Sequence, residues 1–151
     1  MKDPSQKIVD AYYSLLNGKV TYSGKKVKVF KRPPKDTEIP IIKGAMYHYI
    51  EIGDVTDSET GSNADVFSHD ATCEIYVVVG FPGIGDKSVM NNIVNQVLNK
   101  TLTGKGAKLS LGSDFTNIVH VLETAFDTQE QDMHKKLIKN LRYRLEIDET
   151  S

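Results

Sequence analysis

The stretch Asp70–Leu98, DATCEIYVVVGFPGIGDKSVMNNIVNQVL, decides how the chain folds. Its first ten residues alternate. Ala71, Cys73, Ile75, Val77 and Val79 fall on one face; Asp70, Thr72, Glu74, Tyr76 and Val78 fall on the other. That period of two predicts a strand with one face in the core. In the second half, Val89, Met90, Ile93, Val94, Val97 and Leu98 recur at helical spacing, with Asn91, Asn92, Asn95 and Asn99 turned outward. An amphipathic helix therefore follows the strand.

The junction, VVVGFPGIGDKS (Val77–Ser88), resembles the start of a nucleotide-binding loop, and that reading has to be tested. Such a loop needs Gly-x4-Gly-Lys-[Ser/Thr], so that backbone N–H groups wrap the phosphates and the lysine lands beside them. Gly80 and Gly85 have the spacing, but Asp86 separates Gly85 from Lys87. The insertion displaces the lysine and puts a carboxylate where the anion would sit, which repels it. The simpler reading is a connector. The glycines let the chain leave the strand and reverse, and Asp86 caps the helix by accepting hydrogen bonds from its first free N–H groups.

Outward from this unit, Ile8, Ala11, Tyr12, Leu15 and Leu16 form an apolar helical stripe, with Ser5 a candidate N-cap and Asn17-Gly18 a left-handed stop. Val20–Tyr22 and Lys26–Phe30 read as short strands around Ser23-Gly24. Residues 31–45 hold Pro33, Pro34 and Pro40 and predict an ordered but irregular crossover. Met46–Ile52 is strand-like, whereas the polar, acidic run over residues 53–69 predicts a long loop. Two closing strands, about Asn117–Phe126 and Lys136–Ile147, are joined by the short polar run Asp127–Asp132 and predict an antiparallel pair. The sum is a single α+β domain over residues 1–151: a mainly antiparallel sheet with two helices packed on one face.

Composition narrows the function. With 19 basic and 20 acidic residues among 151, the net charge of −1 provides no global field for nucleic acid or an anionic membrane. A single cysteine, Cys73, excludes an internal disulfide, and its place on the apolar face predicts a buried, unreactive thiol. The N-terminus has no signal-peptide pattern and no run is long and apolar enough to span a membrane, which predicts a soluble, intracellular protein.

His48, His69, His120 and His134 stand singly, without metal-ligand spacing; His48 and His120 fall in strands and predict hydrogen-bonded structural roles. The acidic run Asp54, Asp57, Glu59, Asp65 lacks the ligand alternation of a calcium loop. No catalytic constellation emerges, so the expectation is a non-enzyme without metal or cofactor. What remains is a candidate interaction surface: a basic segment with Lys25, Lys26, Lys28, Lys31, Arg32 and Lys35, and the acidic segment just named.

One further signal lies in the order of the elements. IVDAYYSLL (8–16), a hairpin and a proline-containing crossover are followed by YHYIEIGD (47–54) and the alternating strand HDATCEIYVVV (69–79). DKSVMNNIVNQVLNKTL (86–102) then precedes the closing strands, which end FDTQEQDMHKKLIKNLRYRLEI (126–147). From about Ile8 to Ile147 this order resembles the tail-completion or tail-terminator proteins of tailed bacteriophages. That resemblance implies a structural virion protein, assembled in the host cytoplasm. It would form a sixfold or twelvefold homo-oligomeric ring in the neck, close to the DNA channel. Its partners would be neighbouring neck proteins, the portal-side connector and the tail. Ring closure requires heterologous head-to-tail surfaces, for which the basic and acidic segments are candidates. The alternative from residues alone is a small intracellular α+β domain that binds a ligand or protein through its loops.

Overall fold

The computed structural model describes residues 1–150 except 45, 61–65, 83–85 and 132–134. The chain is an α+β fold with two helices, α1 (Ser5–Leu16) and α2 (Lys87–Thr101). Between them run β1 (Thr21–Tyr22), β2 (Lys25–Lys26), β3 (Lys28–Phe30), a 3-10 turn (Asp36–Glu38), β4 (Ile41–Lys43), β5 (Met46–Glu59) and β6 (Ser68–Phe81). After α2 come β7 (Phe115–Gln131) and β8 (Lys135–Glu149). The main sheet has the order β3-β5-β6-β8-β7, with β4 also on β5. Its pairings are antiparallel except β3 with β5, which is parallel.

The period-two pattern in β6 does what it predicts. Ala71, Cys73, Ile75, Val77 and Val79 are buried with Leu137, Leu141, Tyr143, Leu145 and Ile147 of β8 beneath the helices. The helices contribute Ile8, Tyr12 and Leu16 from α1 and Val89, Met90, Ile93, Val94 and Val97 from α2. Both helices lie on that one face, in contact with each other and with β5, β6 and β8. Among the described residues, the opposite face holds a small apolar cluster of Phe30, Tyr49 and Val78, against which Ile39, Tyr47, Tyr76 and Ile138 pack.

Local signals work where the chain turns. Ser23 and Gly24 both have positive φ, 53° and 78°, and close the β1–β2 hairpin as a two-residue turn of matching twist. Gly18 at φ 73° follows the extended C-cap Asn17. Asp86 caps α2, its Oδ1 accepting from the Ser88 N–H at 2.9 Å. Hydrogen bonding from the Ser88 side chain, with that backbone bond, holds the Asp86 carboxyl below its ordinary range.

Four expectations need correction. Ser5 is not a cap: the N-cap of α1 is Pro4, and Asp3 Oδ1 accepts from the Ser5 N–H at 2.9 Å. Gly80 is no turn residue but an interior position of β6, where a Cβ would overlap the Tyr47 ring; the other turn glycines, Gly83 and Gly85, lie outside the described residues. The stretch 53–59 is strand, not loop. A bulge between Ile52 and Val55 absorbs Gly53-Asp54, and pairing with β6 continues to Glu59↔His69. β7 likewise runs through Asp127 to Gln131, so the connector is shorter than predicted. The last two misreadings share a cause. Both stretches are rich in polar residues, and polarity alone imitates a loop.

Candidate assembly surface

Pairing fixes where each candidate residue stands. Lys25 and Lys26 form β2 and Lys28 opens β3, at the β3–β5 edge of the sheet; Lys31, Arg32 and Lys35 follow in the crossover. Asp54, Asp57 and Glu59 lie on β5 at its far end, and Asp65 lies outside the described residues. Basic and acidic segments therefore occupy one side of the sheet in succession, the basic one beside Tyr49–Glu51 and the acidic one beyond the bulge.

Contacts within the chain engage several of these charges. Lys31 Nζ lies 2.9 Å from Asp10 Oδ1 and 4.6 Å from the Tyr13 ring centre, which ties the crossover to α1. Arg32 grips Glu38 through two N–H···O bonds of 2.9 and 2.7 Å. These bonds, with one from the Lys35 backbone N–H, hold the Glu38 carboxyl down to about 2. Lys25 Nζ donates to the Ile42 carbonyl at 3.1 Å. Lys28 Nζ stands 5.1 Å from the centre of its neighbour Phe30. Lys26, Lys28 and Lys35 are exposed.

The acidic end is organised around a histidine. His69 is buried, its Nδ1 3.0 and 3.1 Å from the two Asp57 carboxylate oxygens and its Nε2 3.0 Å from Glu149 Oε2. The ring thus fastens the ends of β5, β6 and β8 together. The carboxylates engage opposite ring nitrogens, which is a clamp rather than a chelate. Among the described residues no three His, Cys, Asp or Glu side chains are placed to hold a metal ion.

The remaining histidines are structural in different ways. His120 is buried with Nε2 2.7 Å from the Tyr12 hydroxyl and its ring stacked on Tyr143 at 5.5 Å. Burial pulls it down to about 4. His48 departs from the hydrogen-bonded expectation: neither ring nitrogen finds a partner among the described residues, and the ring packs edge-on to Tyr22. His134 lies outside the described residues. Cys73 is buried as predicted, and desolvation pushes its thiol up to about 12.

Two surfaces escaped the sequence reading. A groove of about 510 Å³ lies on the face without helices, between the crossover residues Pro33, Pro34 and Ile39 and the rings of Tyr47 and Tyr49. Its floor was visible in principle, because Tyr47, Tyr49 and Glu51 alternate with His48, Ile50 and Ile52. The other surface is β7, the outermost strand, with Ile118, Val121 and Phe126 all more than 40% exposed. Its signal, apolar residues on a strand with few charges, acquires meaning only once the strand is known to be an edge.

No protein-family model matches the chain. No curated protein sequence matches it. Among solved structures, the fold is similar to a chain in the virion of a native gene transfer agent particle. That likeness covers 92% of this chain and 94% of the other, with a TM-score of 0.56 at 14% sequence identity. The two chains share a fold. No helix among the described residues is long and apolar enough to cross a membrane.

Proposed function

We propose that this chain is a structural subunit of a tailed-phage-like particle, a tail-completion or tail-terminator protein forming a ring in the neck between head connector and tail. The observation that carries this reading is the fold likeness, over nearly the full length of both chains, to a component of a gene transfer agent virion. The order of elements in the sequence supports it independently. In this reading the protein is not an enzyme and works in the virion after assembly in the host cytoplasm. Its partners are further copies of itself, in a sixfold or twelvefold ring close to the DNA channel, and the neighbouring connector and tail proteins.

Lys25, Lys26, Lys28, Lys31, Arg32, Lys35, Asp54, Asp57, Glu59 and Asp65 are the proposed contact residues. The exposed Lys26 and Lys28 are the best probes, because their charges can be reversed without breaking a salt bridge seen in the fold. Antibody labelling of purified particles, with electron microscopy of particles from a deletion strain, tests the reading. Label at the head–tail junction, and unjoined or irregular tails without the gene, are expected. Particles that lack the protein and assemble normally without it would overturn it.

A second reading is supported by the Tyr47–Tyr49 groove, whose size suits a small ligand or an extended peptide. In that case the protein is a small intracellular binding domain. A soluble monomer absent from particles, in which Tyr49→Ala abolishes capture of a defined ligand, would favour it.

A further inference from the structure

The two edges of the sheet are built differently. One is broken: β3 and β4 add a strand's width beside Met46–Glu51, and the rest of β5, Gly53–Glu59, is set back behind them. The other is β7, 17 residues long, with no strand on its outer side among the described residues. Natural sheets guard such an edge with lysine, proline or short strands. From Phe115 to Phe126, β7 has no lysine, arginine or proline, and Glu123 is its only charge. Its beginning is shielded, since Lys108 Nζ donates to the Ile118 carbonyl. Beyond Val119 the edge is open.

Pairings across the sheet show what fits it. One rung reads Phe30, Glu51, Tyr76, Asn140, Phe126; the second one on from it reads Lys28, Tyr49, Val78, Ile138, Thr128. The open part of β7 is therefore level with β3 and runs antiparallel to it. A second copy placed beside the first without sliding would bring these two edges together. Phe126 would meet Phe30, and Thr128 would meet Lys28.

Charge and shape agree with this placement. The open half of β7 carries Glu123 and Asp127, the latter also 3.3 Å from Lys139 Nζ of its own chain, and the edge facing it carries Lys26 and Lys28. At the other end, the segment bearing the exposed Lys105 and Lys108 reaches β7 at Ile118, through the Lys108 Nζ bond to the Ile118 carbonyl. It is level with the recess at Gly53–Glu59, which carries the exposed Asp54 and Glu59. The alternative of joining β7 to Gly53–Glu59 along its open half would set acidic residues against acidic residues.

We propose that copies of this chain join head to tail, the open edge of β7 adding antiparallel to β3 of the next copy while Lys108 enters the recess at Gly53–Glu59. The join is heterologous, with different surfaces meeting on the two sides, and it generates a ring wherever the rotation closes. The join stands on the edges and charges; its closure into a neck ring rests on the function proposed above.

Cysteine cross-linking tests it, because the one native cysteine is buried. Thr128→Cys and Lys28→Cys chains, purified separately, are mixed and oxidised with copper phenanthroline. A disulfide-linked dimer in the mixture, and a ladder of higher species when both cysteines share one chain, is expected. Phe126→Lys should weaken association roughly fivefold to tenfold, as the loss of a cross-strand aromatic pair implies. Circular dichroism of each variant checks that it is folded.

Three results would overturn the join. One is oligomers that never cross-link; another is dimers from Thr128→Cys alone, which mean a two-fold β7–β7 contact. The third is a monomer at millimolar concentration. None of them bears on the labelling of particles, so the neck reading stands or falls separately.

Discussion

The two faces of the sheet are made from the same strands, yet they are built on opposite terms. Beneath the helices, β6 presents an apolar row from Ala71 to Val79, and β8 one from Leu137 to Ile147 that only Lys139, paired with Asp127 at 3.3 Å, interrupts. On the other face the same strands show two halves. Toward the ends of β5 and β8 lies a polar ladder, with Glu74 bound to Arg142 at 2.6 Å and Arg144 between Asp70 and Glu146. Toward the crossover lie tyrosines and a few aliphatic residues under partial cover. The covered face is held by area removed from water, while the open face is held by shape and paired charge. Substitutions on the two faces should therefore fail by different mechanisms and by different amounts.

The largest loss belongs to the covered face. Leu141 is fully buried beneath the helices and pairs with Ile75 and Ala125. Leu141→Ala removes apolar burial and leaves a cavity that rigid strands cannot collapse, for about 2–5 kcal/mol. Urea denaturation followed by circular dichroism should show the midpoint falling with an unchanged slope. A loss no larger than that of an open-face variant would break the contrast between the faces.

The next effect arises where the open face is shape-limited. Gly80 lies within β6, one residue from its end, and pairs with Tyr47; an added Cβ would overlap that ring. Gly53 stands in the same relation to Tyr76. Gly80→Ala should cost about 1–3 kcal/mol, the usual penalty for overpacking. Combined with Tyr47→Ala it should cost much less than the sum of the two single changes, because the clash has gone. Additive losses would mean that Gly80 is there for another reason.

These examples show what the sequence made legible. Alternation in β6 and β8 and helical spacing in Val89–Leu98 named the covered face almost residue by residue, because burial imposes a period. Asp86 was legible because capping is local chemistry. Gly80 was not: its absent side chain makes room for a ring 33 positions away in the chain, and no local pattern encodes that. The strand character of residues 53–59 was hidden for a related reason, since its partner is β6 and its own side chains are polar. The candidate charges were visible in the chain as two segments of opposite sign, not as a surface. Their sharing of one sheet edge, and the bareness of β7 at the other, depended on strand order.

A pH scan examines the buried Tyr12–His120 pair in the covered face. His120, held neutral by burial against Tyr12 and Tyr143 with Lys108 nearby, lies at about 4 in the fold against 6.5 when unfolded. Above 6.5 both states are neutral and stability does not depend on this group. Between 6.5 and about 4 the unfolded chain takes up a proton that the folded chain refuses, so stability falls as pH falls. Below about 4 the contribution is fully lost. His48, also lowered by burial, adds a change of the same sign. Measured as denaturation midpoints, the slope between pH 6.5 and 4 should be shallower in His120→Gln than in the native protein. An identical slope would assign the acid sensitivity to His48 or the carboxylates instead.

The smallest expected effect is on the open face at Glu74. Its carboxylate accepts from the Tyr76 hydroxyl and from two Arg142 N–H groups, and these bonds hold it below the ordinary carboxylate range. Because the Arg142 side chain is 43% exposed, solvent screens much of the attraction. Glu74→Gln keeps the shape and hydrogen-bonding capacity but removes the charge, so the denaturation midpoint should shift less than in Gly80→Ala. The shift should also shrink as salt is raised. Working out the sign, a carboxyl lowered in the fold stabilises above its unfolded range and loses that contribution as pH falls through its folded value. The difference between native protein and Glu74→Gln should therefore vanish in acid. If it persists there and in high salt, the ladder is held by packing rather than charge, and the two faces are more alike than their side chains suggest.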